Sequence, residues 1–373
     1  MNESTSLQTL AFGLLASRAY PLKTEAYLER LRLAGDHAAL LSALPDGLPE
    51  LLRLVESGNA LEQAAQQLLG WQEDGINAVT ICTPDYPLEL SRISNPPIML
   101  FYRGQGLREF QSEHALAVVG SRKANKEGCD LAYEYSKQLS QAGVCLVSGL
   151  AFGVDASAHR GALASGRACS TIAVLGNGLQ TVYPAAHRDL AKEIIDAGGT
   201  LLSQFEPDER AYPANFLNRN RVIAGLACGV LVVQATDRSG SLVTARYALE
   251  EGREVMVLPG SACDPRYVGS NRLIKQGAAL VTNVQDIEDI LPGLSDGAGE
   301  ASDDGSSSEE VLSKSQKLIL KSLRENGSLS LDKLSELLLK PENFASDVLQ
   351  LELGGQVERL PGNQLGLAYS RTI

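Results

Sequence analysis

The middle of the chain alternates short apolar runs with longer stretches in which apolar residues recur every three or four positions. From about residue 107 to 292, this pattern predicts alternating strands and helices. The predicted strands are Ala115–Val119, Val144–Val147, Thr171–Leu175, Leu201–Gln204, Val230–Ala235 and Val255–Leu258. The predicted helices lie at about 126–141, 154–164, 186–197, 214–227 and 241–251. This order is typical of a doubly wound α/β sheet, and the continuously apolar strands indicate that both faces are covered.

The first 75 residues have a helical pattern instead. Apolar residues recur at helical spacing in five short stretches: Leu7–Ala19, Lys23–Ala34, His37–Leu44, Leu48–Glu56 and Ala60–Leu69. Glycine and proline separate these stretches. We predict a small helical domain over residues 1–75, of a helix–hairpin–helix or SAM-like kind. A helical extension that covers the main domain explains the pattern equally well.

The last part of the chain predicts a linker and a further domain. Residues 293–310 are rich in Gly, Ser and Asp and have no apolar period, which is typical of a flexible acidic linker. Beyond it, helix-like patterns at Gln316–Glu325, Ser330–Leu339 and Asn343–Leu353 precede a hairpin-like segment. Helix–helix–helix–hairpin is the order of a winged helix, which we predict over residues 311–373. The main sheet domain is then expected over residues 76–292.

Composition narrows the class of protein. The chain has 373 residues and a net charge of −12, which argues against a nonspecific coat on nucleic acid but permits a local basic site. Its six cysteines are scattered without a CxxC pair, so we expect reduced thiols, a cytoplasmic protein and no zinc or other metal. We expect no signal peptide and no membrane helix, because no stretch has the required apolar length.

Most of the predicted strands end in glycine with small polar residues. The loops are Gly120-Ser121-Arg122, Ser148-Gly149 followed by Gly153 and Asp155, Gly176-Asn177-Gly178, Ser239-Gly240-Ser241, and Pro259-Gly260. The carboxyl ends of parallel strands share one edge of a sheet, where ligands bind. Loops rich in backbone N–H groups that open into helices favour anions, phosphate above all. The sequence therefore predicts a phosphate-binding crevice.

The usual nucleotide motifs and catalytic groups are absent from the sequence. No Gly-Lys dipeptide is present, as a P-loop requires, and the first strand-to-helix turn lacks GxGxxG, so ATP and NAD are disfavoured and no cofactor is expected. Of the four histidines only His159 falls near the predicted crevice, and we expect it at the surface or near a helix end. Asp155 falls in a first helical turn, where a carboxylate complements the helix dipole.

One segment stands out as basic and aromatic. Phe216, Arg219, Asn220 and Arg221 lie at the start of a predicted helix. Arginine suits phosphate oxygens, and an aromatic side chain can stack on an unpaired base. Together with Arg122 after the first strand, this segment predicts contact with single-stranded nucleic acid. The structural alternative is a surface helix whose arginines pair with Glu206 or Glu209.

The order of these motifs resembles the DNA-processing protein A family (DprA, also called Smf). The resemblance spans roughly residues 80–290. It rests on Gly120-Ser121-Arg122, Ser148–Asp155, Ala173–Gly178, Tyr183-Pro184, Phe216–Gly225, Ser239–Leu242 with Thr244-Ala245, Val257–Gly260, Gly269–Asn271 and Leu273-Ile274. The flanking helical domain and winged helix also fit the variable ends of that family.

The resemblance implies an extended Rossmann-like fold that binds single-stranded DNA without known catalysis. It further implies a homodimer that protects incoming DNA and loads the RecA recombinase during natural transformation. By the same resemblance, Arg122, Arg219 and Arg221 would contact phosphates and Phe216 would contact a base. The expected lining of the pocket is Gly120, Ser121, Gly149, Gly153, Gly176, Asn177, Gly178, Asn220, Gly240 and Ser241.

Two other classes of function remain open from the sequence. An enzyme acting on a nucleotide would need a general base in the crevice, for which Asp155 or Glu206 are the candidates. A regulator that senses a small nucleotide would use the winged helix as its output.

Overall fold

The computed structural model describes residues 3–20, 24, 27–29, 51, 59–107, 110–295, 319, 329–330, 333–334, 344–353, 357–360 and 364–367. Two compact units divide the chain, Met1–Gly299 and Glu300–Ile373. The predicted helices His37–Leu44 and Gln316–Glu325 lie wholly or almost wholly outside the described residues, as does most of the predicted linker. Those at Lys23–Ala34, Leu48–Glu56 and Ser330–Leu339 are described at only a few residues. The three boundaries between the four predicted segments stay predictions.

The first unit is built on a nine-stranded sheet. Its strands are β1 (Asn77–Thr80), β2 (Met99–Gly104), β3 (Ala115–Val119), β4 (Cys145–Ser148), β5 (Thr171–Val174), β6 (Thr200–Ser203), β7 (Gly229–Val232), β8 (Glu254–Val257) and β9 (Ala279–Leu280). Their order across the sheet is β1-β2-β6-β5-β4-β3-β7-β8-β9. All neighbours from β6 to β9 are parallel, while β1 and β2 add an antiparallel edge. The prediction of a doubly wound α/β sheet is confirmed.

The helices lie in chain order between and beside these strands. They are α1 (Glu3–Ala19), α2 (Ala60–Glu73), α3 (Leu88–Ser91), α4 (Lys126–Gln141), α5 (Val154–Leu163), α6 (Arg188–Asp196), α7 (Pro213–Leu226), α8 (Ser241–Glu250), α9 (Val268–Lys275) and α10 (Val284–Ile290). The five helices predicted between residues 126 and 251 match α4 to α8 within a few residues. Periodicity found them because each buries one apolar face on the sheet.

Alternate residues of the central strands enter different cores. On β3, Ala117 packs in the cluster that contains Val222 of α7 and Ala245 of α8. Its neighbour Val118 packs in the cluster that contains Leu139 of α4. Successive side chains of a strand point to opposite faces, so a strand with helices on both sides must be apolar throughout.

The described N-terminal helices pack on the antiparallel edge of the same sheet. Leu14 of α1 and Trp71 of α2 share one buried cluster with Phe101 of β2. The Trp71 and Phe101 rings meet edge to face, with centroids 5.4 Å apart. Of the two sequence interpretations, this packing favours a helical extension that covers the main sheet.

The second unit contains one described helix and a small sheet. The helix is α11 (Phe344–Leu353), and the strands are β10 (Leu329–Ser330), β11 (Val357–Leu360) and β12 (Gln364–Leu367). The strand order β10-β12-β11 is antiparallel, and β11 and β12 form the predicted hairpin. A winged helix remains a prediction, because most of its first two helices lies outside the described residues.

Candidate functional site

The main crevice of the first unit opens at the carboxyl edge of the sheet, between β3 and β7. The chain leaves β3 toward α4 on one face and leaves β7 toward α8 on the other, because these helices pack in different cores. Loops that part in this way leave a space at the switch point of the sheet, which is the usual ligand site of open α/β folds. The space has a volume of about 500 Å³. Its lining includes Ser121, Arg122, Lys123, Asp155, Phe216, Arg219, Asn220, Gly240, Ser241 and Arg266.

The loop after β3 is held tightly, so that its two cations project outward. Ser121 N donates to Gln234 O at 2.7 Å, and Ser121 Oγ accepts from Lys123 N at 3.1 Å. A Cβ on Gly120 would lie 2.5 Å from a methyl carbon of Val154, so only glycine fits. Arg122 and Lys123 are exposed at the mouth of the crevice.

Arg219 is buried in the wall of the crevice. Its Nη1 donates to Gly149 O at 2.7 Å and to Val174 O. Its Nε donates to Asn220 Oδ1 at 3.2 Å. Only 3% of the residue is exposed, and burial lowers the pKa of Arg219 to about 10. The side chain therefore ties the ends of β4 and β5 to α7.

This arrangement gives Arg219 a structural role, and its predicted contact with phosphate stays a prediction. Nη1 is engaged by two main-chain carbonyls and Nε by Asn220, so the side chain supports the fold at the wall of the crevice. It also explains Gly149, where a Cβ would lie 2.7 Å from the Arg219 guanidinium carbon. The sequence alternative pairs these arginines with Glu206 or Glu209, but Glu206 pairs with Arg18 at 2.7 Å.

Asp155 lies in the first turn of α5, as the sequence predicts, and its carboxylate is buried there. Its Oδ2 accepts from Gly149 N at 3.2 Å and from Ala151 N at 3.4 Å. Burial raises the pKa of Asp155, and the charge of Arg219 and the two N–H groups oppose that rise. The two backbone donors predicted to bind an anion are thus already engaged by the chain's own carboxylate.

Phe216 forms the aromatic side of the crevice. The Arg122 guanidinium lies 5.2 Å from the centroid of its ring, and the Tyr183 ring centroid lies 5.3 Å away. Phe216 is half-buried, whereas Tyr183 and Phe152 are exposed beside it. A cation within about 6 Å of an aromatic face is attracted to it, so Arg122 and Phe216 hold each other in place.

The start of α8 closes the opposite side of the crevice. Asn220 Nδ2 donates to Gly240 O at 3.2 Å, which links α7 to the loop before α8. The hydroxyls of Ser239 and Ser241 lie 2.7 Å apart. A Cβ on Gly240 would have no neighbour within 4 Å, so the backbone is open to an approaching ligand there.

Several predicted site residues are not among those lining the crevice. Arg221 points to the other side of α7, where its Nη2 lies 3.5 Å from Gln204 Oε1. Residues two apart on a helix are rotated by about 200°, so Arg219 and Arg221 cannot share a face. Gly176 lies under the Phe216 ring, which a Cβ would approach to 2.6 Å. Gly178 packs against main-chain oxygens, and Asn177 is buried and donates to Gly178 O and Thr181 O.

Gly153 supports the crevice from behind. Its φ is +73°, and a Cβ would lie 2.3 Å from Ser121 O. Of the fourteen predicted site residues, the structure therefore makes Gly149, Gly153, Gly176, Asn177 and Gly178 supports and places Arg221 elsewhere.

Arg266 is a lining residue that the sequence analysis missed. It lies in the loop after β8 and is exposed, and Asp264 accepts from its Nη2 at 2.6 Å. The only signal was its position in the last of the glycine-containing strand-end loops. Arg122 and Lys123 are exposed cations at the crevice, whereas the charge of Arg266 is offset by Asp264, so the rim is positive beside β3 although the chain carries a net charge of −12. Local clusters of this kind attract anions irrespective of net charge.

The candidate acids and bases for a hydrolytic reaction are already engaged. Asp155 accepts two backbone hydrogen bonds, and Glu206 is paired with Arg18. Among the described residues there is no cluster of three histidine, cysteine or acidic side chains that could hold a metal ion. Nor does any described helix combine the length and apolar character needed to span a bilayer.

His159 is buried beneath the crevice, which corrects its expected place at the surface. Thr171 Oγ1 donates to Leu146 O, so it accepts the hydrogen of His159 Nδ1 at 2.7 Å. His159 Nε2 is therefore unprotonated, and it has no partner among the described residues. Burial lowers the pKa of His159 from 6.5 to about 3.

We expect this histidine to make the fold acid-sensitive. Because its pKa is lower folded than unfolded, protonation favours the unfolded state below about pH 6.5. Its contribution to the free energy of unfolding should fall by about 1.4 kcal/mol per pH unit down to about pH 3. Urea unfolding at a series of pH values would measure the slope. His159→Asn should be less stable at neutral pH but have a flatter profile between pH 6.5 and 4, and an unchanged profile would contradict this prediction.

Comparison with known proteins places the chain in a family. The sequence profile of DNA recombination-mediator protein A matches residues 77–292. The protein Smf of Escherichia coli is 46% identical over 208 residues, which are 55% of this chain and 54% of that protein. The DNA processing protein DprA of Bacillus subtilis is 38% identical over 226 residues, which are 60% of this chain and 74% of that protein. The match thus spans only about half the length of the Escherichia coli relative.

Two solved structures share the fold. That of DNA processing protein A from Streptococcus pneumoniae has a TM-score of 0.59 and 32% identity, and the match covers 74% of this chain and 96% of that one. The second is DNA processing protein A from Helicobacter pylori, whose structure was described for its single-stranded DNA binding mode. It has a TM-score of 0.50 and 26% identity, and the match covers 58% of this chain and 95% of that one. From the extent of the profile match, the chain belongs to the DNA recombination-mediator protein A family.

Proposed function

We propose that this protein binds single-stranded DNA in the crevice at the carboxyl edge of its sheet. The observation that carries the proposal is the meeting of exposed cations with accessible aromatic rings. Arg122 lies over the ring of Phe216, which contacts the ring of Tyr183, and Lys123 and Arg266 line the same crevice. Single-strand sites combine positive charge along the backbone with rings on which bases stack.

An unpaired strand suits the crevice better than a duplex. Stacking on Phe216 or Tyr183 requires a base with a free face, which a paired base inside a helix does not offer. The Helicobacter pylori relative, whose structure was described for single-stranded DNA binding, supports the same choice. The DNA would contact side chains on the rim and the open backbone at Gly240, rather than the closely packed Gly149, Gly176 and Gly178.

The biological role that we propose follows from the family. The protein would act as a recombination mediator without catalysis of its own, protecting incoming DNA in the cytoplasm and helping RecA to load during natural transformation. It would act as a homodimer, with an N-terminal helical part and a C-terminal winged helix as flanking modules. The engaged state of Asp155 and Glu206 argues against the nucleotide-directed enzyme.

Binding should be selective for single strands and sensitive to salt. If Arg122, Lys123 and Arg266 each neutralise one phosphate, the logarithm of the association constant should fall with the logarithm of salt concentration with a slope of about −2. Affinity should then drop about 20-fold between about 50 mM and 200 mM salt. Fluorescence anisotropy with matched single- and double-stranded oligonucleotides would measure both properties. Equal affinity for the two forms, or no salt dependence, would count against the proposal.

A further inference from the structure

A second cavity lies beside the start of α7, toward α1, and adjoins the side of α7 that faces the crevice. Its volume is about 250 Å³. It is enclosed by the end of α1, the segment leading into β2, the segment after β6 and the first turns of α7. The residues that carry the argument are Arg18, Met99, Gln204, Glu206, Glu209 and Asn215. The loops after β3 and β7 take no part in it.

Two carboxamides in this lining have donors without acceptors. Gln204 Nε2 and Asn215 Nδ2 are both buried and have no hydrogen-bond partner among the described residues. The long contact from Arg221 Nη2 to Gln204 Oε1 identifies the oxygen end of Gln204, which leaves its nitrogen as the unpartnered group. A buried donor left unpaired costs about 1–3 kcal/mol, and terminal amide torsions turn easily. Neither nitrogen is accessible in this conformation, so a ligand that offers acceptor atoms in the cavity would pair with them after a turn of each terminal amide.

The charges around this cavity disfavour phosphate. The Arg18 guanidinium is neutralised by Glu206, which accepts from its Nη2 and Nε at 2.7 Å each. Glu209 adds a second carboxylate to the lining. A phosphate would therefore meet net negative charge, in contrast to the positive rim of the crevice. A neutral group with acceptors and an amino group fits better, since carboxylates accept from amino groups.

The walls suit a flat ring. Ile98, Met99 and Phe205 are the apolar residues of the lining, with Ile98 and Met99 almost wholly buried in the wall behind the half-buried Phe205. The cavity is smaller than the roughly 300–1,000 Å³ of sites for drug-sized ligands. Apolar faces with polar edges, and pairing with carboxamides, are the recognition chemistry of a nucleobase.

We infer that this cavity is a nucleobase site that prefers a base with an exocyclic amino group, namely adenine, cytosine or guanine, over thymine. The inference rests on the proposed function, because one side of α7 carries Phe216 and Arg219 of the crevice and the adjoining side carries Asn215 and Asn218. A strand stacked on Phe216 would place a neighbouring base across the start of α7. The base in this site would come from the bound strand or from a free nucleoside.

The test replaces one thymine at a time by adenine along an oligo-dT of roughly ten nucleotides. With the unmodified protein, the oligonucleotide that carries adenine at one particular position should bind about fivefold more tightly than plain oligo-dT. This is the gain expected for one hydrogen-bonded pair between a carboxamide and a base. Asn215→Leu should abolish that gain and leave the affinity for plain oligo-dT unchanged. Gln204→Leu is the second variant, and thermal unfolding confirms that both are folded. The control Phe216→Ala should weaken every oligonucleotide by the same factor.

A calorimetric titration with deoxyadenosine separates the two sources. If adenine raises the affinity at no position of the oligonucleotide, but deoxyadenosine binds and Asn215→Leu abolishes this binding, the site serves a free nucleoside. If neither experiment shows a response that depends on Asn215 or Gln204, the nucleobase site is ruled out. The proposed function is judged separately, by whether plain oligo-dT binds and whether Phe216→Ala weakens it.

Discussion

Replacing Arg219 by leucine is expected to lower the free energy of unfolding by about 3–5 kcal/mol. The change removes the donor shared by Gly149 O and Val174 O and leaves the Asp155 carboxylate buried without its main positive neighbour. Buried carbonyls without donors and a buried charge without its counter-charge are each costly. Urea unfolding of the full chain, followed by circular dichroism, would measure the loss.

A second substitution tests the cause of this loss. In the Arg219→Leu background, Asp155→Asn should recover part of the stability, because the uncompensated negative charge is removed. Arg122→Leu is the matched control, since its side chain is exposed, and it should change stability by no more than about 0.5 kcal/mol. If Arg219→Leu kept full stability and lost only DNA binding, Arg219 would be a phosphate contact, as the sequence had predicted.

Replacing Phe216 by alanine is expected to weaken single-strand binding by about 10- to 100-fold. The substitution removes the ring on which a base stacks, an interaction worth about 1–3 kcal/mol. It also removes the aromatic face that holds Arg122 in place at 5.2 Å. Phe216→Tyr should retain most of the affinity, because it keeps the ring. Anisotropy titrations at constant salt would compare the variants.

Arg122→Ala should act at the same site by a different route. It removes one phosphate contact, so the salt slope should become shallower by about 0.7. The matched control is Arg246→Ala, which removes an equal charge from the exposed surface of α8, where Arg246 pairs with Glu250 at 3.4 Å. Equal losses in both variants would indicate that only the overall charge matters, and would argue against the crevice as the binding site.

The elements that the sequence predicted best are those buried on two sides or along one stripe. β3 was found at its observed bounds, and α4 and α7 were found within one residue. β1 and β9 were missed. They are short edge strands with half-buried residues, so no continuous apolar run marks them. Their pairing depends on β2 and β8, which is a tertiary condition.

The candidate site was predicted only in part. Arg122, Gly240 and Ser241 lie at the crevice as expected, because the loops that follow parallel strands meet at one edge. Phe216 reaches the crevice from the first turn of α7. Arg266 was missed because no motif marks it.

By itself, the amino-acid sequence determined the alternation of strands and helices, the edge of the sheet where the loops meet, and the family. Apolar periodicity and loop motifs are local properties that need no knowledge of distant contacts. Only the tertiary structure decided that Arg219 is buried and that Arg221 lies across the helix. The helical period places the two side chains on different faces of α7. Hydrogen bonds to the carbonyls of Gly149 and Val174, which are 70 and 45 residues away in the chain, hold the Arg219 side chain in the wall of the crevice. The same folding brought Gln204 beside Asn215, which no spacing in the sequence could indicate.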